Sequence, residues 1–337
     1  MYPRVVIEAP TTDDRVVWDV WLSMWWMPSV TAADELGVFD ALDARPSTAP
    51  ELARALSLTA RGTAALLGLL ASLGFLSAHE ERYALTAVAR DYLVTRSRFY
   101  WGGVLTREAA RSSLHAIVKR AVAGTAAPSA AWEGGVLTAA QARQVARFMD
   151  AHSQPAAAGL ARVAVLDGVT RLLDVGGGSG CFSLALAARH PALRCTVMDL
   201  PAMCAEAARY TVAADLADRV GTHAADMFAD AWPDGHDGVL FSNVFHDWSD
   251  DACGGLAARA HAALPAGGRV FVHELLLDEG GTTPRTAAAF SLLMAVATQG
   301  RQFTLRELRT LLETAGFTDV TCTPTHGYHS VVSARRR

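Results

Sequence analysis

This chain is poor in charge, in cysteine and in long apolar runs, and each shortage excludes something. Only 19% of its 337 residues are Asp, Glu, Lys or Arg, and the net charge is −4. That balance argues against a large nucleic-acid footprint. The five cysteines, at positions 181, 195, 204, 253 and 322, form no C-x-x-C pair and have no regular spacing. They read as reduced thiols in a cytoplasmic protein, not as a disulfide framework. No apolar run reaches membrane length, and Met1-Tyr2-Pro3-Arg4 carries no signal-peptide pattern, so no membrane association is expected. A glycine-rich stretch at 176–180 also lacks two things. The third glycine of the dinucleotide fingerprint is replaced by Cys181, and the basic residue of a phosphate-binding P-loop is missing. A pyrophosphate-bearing ligand is therefore not indicated there.

What is present suits a two-domain globular protein. Hydrophobic residues make up 51% of the chain, and the length allows two sizeable cores. Residues 14–30 hold Trp18, Trp21, Trp25 and Trp26 among aliphatic side chains. A helix that is apolar nearly all round is expected to be buried on more than one side. Thr48-Ala49-Pro50-Glu51 predicts a capped helix over 49–56. A second helix begins at Thr59, with a leucine face from Leu66 to Leu73, and ends at Gly74. Residues 75–77 and 82–85 then predict a hairpin turning at Glu80-Glu81. Helix, helix and hairpin make a winged-helix layout over about 31–95. That layout admits a transcription regulator as a remote alternative, although the second helix has little positive charge. Residues 104–123 are read as one helix, placing Arg107, Arg111 and His115 on one face. A further helix is expected near 138–165.

From 169 onward strand and helix alternate. Strands are expected at 171–175, 194–199, 219–223, 237–243 and 268–276, with a closing pair near 318–323 and 328–334. This α/β pattern predicts a mostly parallel sheet with ligands at the carboxyl ends of its strands. The first strand ends in Asp174 and the turn Val175-Gly176-Gly177-Gly178-Ser179-Gly180, and the second ends at Asp199. An acid at that tip is placed to take both hydroxyls of a ribose. By the same logic the backbone from Gly176 to Gly178 supports the rest of a nucleoside ligand. Asp226, after the third strand, would accept from a base amino group, with Met227 and Leu200 on its ring faces. His246 follows the fourth strand and is the candidate general base, since its unperturbed pKa lies nearest neutrality. Glu274, at the end of the fifth strand, is placed to orient it.

Five motifs occur in order: Leu173-Asp174-Val175-Gly176-Gly177-Gly178-Ser179-Gly180, Asp199-Leu200-Pro201, Asp226-Met227-Phe228, His246-Asp247-Trp248 and Gly316-Phe317. Together they resemble the S-adenosylmethionine-dependent small-molecule O-methyltransferases, the family of plant caffeate, hydroxyindole and bacterial polyketide-tailoring enzymes. The likeness is strong from about residue 145 to the end and present in layout from 14 to 144. It implies a Rossmann-like class I methyltransferase domain with a seven-stranded sheet, over 161–337. Before it, over 1–160, it implies a helical, winged-helix-like dimerisation domain that forms a homodimer. S-adenosylmethionine is the implied cofactor, with no metal, and a small, aromatic hydroxyl compound the implied acceptor. Its cofactor residues would be Asp174, Gly176, Gly178, Asp199, Leu200, Asp226, Met227 and Ser242. Ser242 stands where relatives place a basic or polar residue. His246 and Glu274 match the family's base and its partner. The acceptor pocket would draw on Phe148, Met149, His152, Phe245, Asp247, Phe290, Met294 and Gln302. Gln302 departs from the second glutamate of many relatives and cannot stabilise a charged histidine as a carboxylate does. Methyl transfer to sulfur or carbon of a small hydroxy or keto acid is the alternative on the same fold.

Overall fold

A computed structural model describes residues 9–125, 130, 132, 134–163, 166 and 168–337. The chain forms two compact units: Met1–Arg15, Ala130–Leu276 and Leu305–Arg337 make one, and Val16–Ser129 with Leu277–Thr304 the other. The division at 160/161 drawn from sequence differs from this. The helix before the sheet belongs with the sheet, and a late segment joins the N-terminal helices.

The helical unit opens with α1 (Arg15–Leu22), a short 3-10 turn (Ser23–Trp25) and α2 (Trp26–Glu35). One unbroken helix was expected. Pro28 has no N–H to offer the carbonyl at position 24, so the helix re-starts there. Burial is one-sided too: Trp18, Leu22 and Trp25 are buried, whereas Val16, Val17 and Val20 are 70–74% exposed, with Met24 and Met27 half-exposed. Next come α3 (Val38–Ala44), β1 (Ser47–Thr48) and α4 (Ala49–Leu56). The expected capping box is formed: Thr48 N–H donates to Glu51 Oε2 (2.9 Å) and Glu51 N–H to Thr48 Oγ1 (3.3 Å). In α5 (Ala60–Ser72), Leu66, Leu67, Leu69 and Leu70 are fully buried. Strands β2 (Leu76–His79) and β3 (Arg82–Leu85) turn at Glu80 and Glu81, both with positive φ (47° and 63°), and β1 pairs with β3. Two consecutive left-handed residues match the twist of a two-residue hairpin.

After α6 (Ala87–Tyr92) the expected helix over 104–123 is two helices, α7 (Gly102–Arg111) and α8 (Ser113–Ala123). Ser112 is extended (φ −110°, ψ 114°), and its Oγ accepts from His115 N–H, capping α8. A side-chain cap here wins over continuation of the helix. Arg107 and Arg111 therefore lie on a different helix from His115. That histidine is buried, with Nε2 2.6 Å from Glu35 Oε2 and Nδ1 3.0 Å from Thr31 Oγ1.

The sheet unit begins with α9 (Ala139–Leu160), started by a Thr138–Gln141 capping box. There follow β4 (Arg171–Val175), α10 (Cys181–Arg189), β5 (Arg194–Asp199), α11 (Pro201–Ala213), β6 (Val220–Ala224), β7 (Gly238–Ser242), α12 (Asp250–Ala263) and β8 (Arg269–Leu275). The next helix, α13 (Arg285–Ala297), belongs to the helical unit, where Phe290 packs on Trp18 (5.6 Å between ring centres) and Trp21 (6.4 Å). The sheet unit closes with α14 (Leu305–Thr314), β9 (Phe317–His326) and β10 (His329–Arg336). Seven strands run in the order β6-β5-β4-β7-β8-β10-β9. Strands β6, β5, β4, β7 and β8 are parallel, while β10 runs antiparallel to both β8 and β9. The order reverses at β4, so β5 and β7 diverge from it on either side and leave a crevice at their carboxyl ends.

Candidate active site

A cavity of about 320 Å³ fills that crevice. Its floor is the loop after β4, where Gly176 and Gly178 take φ of 68° and 59°, a left-handed region closed to most side chains. This conformation points Gly178 N–H at Asp199, whose Oδ2 accepts it at 2.8 Å, while Asp199 Oδ1 accepts from Leu200 N–H at 2.7 Å. The loop and the tip of β5 are thus pinned to each other. Burial pushes the Asp199 carboxyl up to about 6, against the pull of those two amides. Asp226 follows β6 and is held by an Asx-type turn: Oδ1 accepts from Phe228 N–H at 2.8 Å. Leu200, Asp226, Met227 and Ser242 line the cavity together with the glycine loop and Asp199. Trp132, Asn243 and Trp248 line it as well. Two buried polar atoms on this wall, Trp132 Nε1 and Asn243 Oδ1, have no hydrogen-bond partner among the described residues. Buried polar groups are normally satisfied, so this wall is built for a polar ligand.

Beside the cavity, Phe245–Asp247 form a single 3-10 turn after β7. His246 is 5% exposed and Glu274 wholly buried. The imidazole Nδ1 donates to Glu274 Oε2 at 2.6 Å, and Glu274 Oε1 lies 3.4 Å from the His246 amide. Asp247, which does line the cavity, places Oδ1 3.7 Å from His246 Nε2. Burial disfavours a charged imidazole here, but the Glu274 and Asp247 carboxylates outweigh it and hold His246 up at about 9. With Nδ1 committed to Glu274, Nε2 is the nitrogen left to exchange a proton. His152, on α9, behaves oppositely. Burial, with His246 close by, lowers it to about 4, and its ring stands edge-on to Phe148 (5.1 Å).

The profile of the O-methyltransferase domain family matches residues 110–318, and that of the O-methyltransferase dimerisation domain matches 18–95. The chain belongs to this family. It is 37% identical over 321 residues to 3-hydroxy-5-methyl-1-naphthoate 3-O-methyltransferase of Streptomyces sahachiroi, covering 90% of this chain and 89% of that one. An O-methyltransferase family 2 protein from Planctomyces limnophilus, solved with apigenin, superposes with a TM-score of 0.90 at 29% identity, covering all of both chains. The O-methyltransferase NcsB1 of neocarzinostatin biosynthesis was solved with S-adenosylmethionine and 2-hydroxy-5-methyl naphthoic acid. It superposes with a TM-score of 0.56 at 26% identity, covering 92% of this chain and 95% of that one. The chain is an S-adenosylmethionine-dependent methyltransferase with a class I fold and a dimerisation domain.

In this methyltransferase every residue expected at the cofactor lines the one cavity except Asp174. That carboxylate is 1% exposed beneath the glycine loop, where Oδ2 accepts from Ser183 Oγ at 2.7 Å. Burial raises it to about 6. It props the loop from below instead of facing the cavity. Of the expected acceptor residues, Met149 and Asp247 line the cavity. Phe245 does not line it: it is fully buried, its ring 4.8 Å from Phe241. Phe148 is half-exposed on α9. Phe290, Met294 and Gln302 belong to the helical unit. There the Met294 carbonyl accepts from Thr298 Oγ1 at 2.9 Å. Gln302 is 1% exposed, and neither amide atom has a partner among the described residues. Sequence reasoning missed Trp132 and Asn243. Trp132 stands in a loop with no periodic pattern. Asn243 carries one local signal, a φ of 55° that asparagine tolerates better than most residues.

Proposed function

We propose that this enzyme methylates a hydroxyl of a small aromatic acceptor, with His246 as the general base and Glu274 as its partner. One observation carries the reading: the buried His246–Glu274 pair at 2.6 Å beside a cavity rimmed by Asp247. Bound S-adenosylmethionine supplies a methyl on a sulfonium leaving group, so the protein need only align the acceptor and remove its proton. Neutral His246 takes that proton at Nε2, and the imidazolium so formed is stabilised by Glu274 across Nδ1. An aromatic hydroxyl fits this device because its pKa, near 10, lies close to that of His246, at about 9. The hydroxynaphthoate in one relative's name and the apigenin bound to another point the same way.

In this reading Asp199 takes the ribose hydroxyls, Asp226 the adenine amino group, and Leu200 and Met227 the faces of the ring. Met149 and His152, both on α9, contribute to the acceptor pocket. The exposed apolar stripe of α1 and α2 forms the core of a homodimer, since a soluble monomer rarely leaves such a patch in water. A cytoplasmic location fits five cysteines that form no disulfide among the described residues.

The test is a screen of naphthols, flavones, hydroxybenzoates, keto acids and thioethers with labelled S-adenosylmethionine, followed by NMR location of the new methyl. A methyl on phenolic oxygen is the expected product. A methyl on carbon or sulfur overturns the acceptor assignment.

A further inference from the structure

A line of hydrogen bonds runs from the cofactor cavity through the sheet to its far edge. It begins at Ser242 on β7, passes His273 on β8 and ends at Thr325 on β9. Its polarity follows from one group that can only accept. Thr325 Oγ1 lies 3.1 Å from the His329 carbonyl and donates its single proton there. His273 Nε2 lies 2.8 Å from the same Oγ1 and must therefore donate to it. A neutral imidazole has one N–H, so Nδ1 presents a lone pair. Ser242 Oγ, 2.9 Å from Nδ1, then has to donate. The hydroxyl of Ser242, a residue that lines the cavity, is left with only its acceptor capacity to offer.

The surroundings keep this order in place. His273 is wholly buried, which lowers its pKa to about 3 and keeps it neutral. The edge of Phe182 meets its ring at 5.3 Å, and His329 stacks on it at 5.2 Å. Over Thr325, α9 approaches through Gly159, where any Cβ would lie 3.0 Å from the Thr325 carbonyl and 2.4 Å from His326 Cβ. Alternation along β8 sends His273 and Glu274 to opposite faces, so one strand supplies both Ser242 and His246 with their partners.

We infer that Ser242 is a fixed hydrogen-bond acceptor for the α-ammonium of S-adenosylmethionine, and that His273 and Thr325 are positioning residues that set its polarity. Strand order supplies the direction. Asp226 follows β6 and Asp199 ends β5, so a cofactor with adenine and ribose at those acids extends past the β4 loop toward β7. This step rests on the cofactor orientation proposed above. A freely rotating hydroxyl offers its proton as readily as its lone pairs, whereas this one is already committed to His273.

Calorimetry with S-adenosylhomocysteine and two-bond ¹H–¹⁵N NMR of the histidines test the inference on the intact enzyme. His273 should show the Nε2–H tautomer, unchanged down to about pH 5. Ser242→Ala should weaken S-adenosylhomocysteine by about ten- to a hundredfold, the worth of one hydrogen bond to a charged group. Thr325→Val should weaken it less, Thr325→Ser should leave it unchanged, and Ser242→Ala with Thr325→Val should be no weaker than Ser242→Ala alone. Additive losses, or an Nδ1–H tautomer in the unaltered protein, overturn the inference. Methylthioadenosine, which lacks the methionine end, separates the inference from the orientation beneath it. It should lose affinity in Asp199→Asn and not in Ser242→Ala. Loss in Ser242→Ala as well overturns the role of Ser242, and loss in neither variant overturns the orientation.

Discussion

His246 Nδ1 and Glu274 Oε2 stand 2.6 Å apart, both side chains almost wholly withdrawn from solvent. Replacing the histidine removes the proposed base without touching the cavity wall. His246→Ala should therefore lower kcat by about 10²- to 10⁴-fold while the Kd for S-adenosylmethionine stays within about twofold. Turnover that survives the change would mean that alignment alone drives the transfer.

The same pair sets a pH dependence. His246 is active when neutral, and its pKa is held up at about 9. Activity should thus rise with pH between about 7 and 9 instead of levelling off near 6.5. Glu274→Gln removes the first carboxylate that raises His246, so the rising limb should move to lower pH. A limb that stays in place would exclude Glu274 as the cause. Stability follows the opposite sense. The charged pair contributes fully below about pH 6.5, and its contribution is lost as pH rises through about 9.

Asp199 makes a second prediction about pH. Its carboxyl is pushed up to about 6 by burial, and only the ionised form accepts from both ribose hydroxyls. Affinity for S-adenosylmethionine should fall as pH drops through 6. Asp199→Asn should bind about tenfold or more weakly and show no such pH dependence. The amide also turns an N–H toward Gly178 or Leu200, so the loop itself should loosen. Calorimetry across pH 5 to 8 checks both points.

The exposed stripe of α1 offers a clean test of association. Val17 and Val20 are 70–71% exposed in the single chain, so charge there costs the fold of one subunit little. Val17→Asp with Val20→Asp should convert a dimer to a folded monomer, with unchanged circular dichroism and halved mass by light scattering. A dimer that persists would place the interface elsewhere.

The sheet and its ligand edge were legible because their signals are local. A strand that ends in glycines needing positive φ, followed by a second strand tipped with Asp199, needs no long-range knowledge to read. Local competition misled the reading at Pro28 and Ser112, where apolar periodicity continues but the missing N–H or a side-chain cap stops the helix. Tertiary context decided the rest. Nothing near Asp174 or Phe245 says that the first lies under the loop and the second packs on Phe241. Trp132 reaches the cavity from a segment without pattern. The membership of 277–304 in the helical unit is a matter of chain route, which periodicity does not encode.

That route has an evolutionary consequence. The chain passes between the two units four times, at 15/16, 129/130, 276/277 and 304/305. Neither unit can therefore be lifted out as one continuous piece. A fragment cut to the dimerisation domain at 18–95 would lack α13, whose buried face belongs with Trp18 and Trp21. A single recombination splice between the tryptophans and α13 would pair the helix of one relative with the Trp18–Trp21 cluster of the other, so keeping the two together takes two coordinated crossovers.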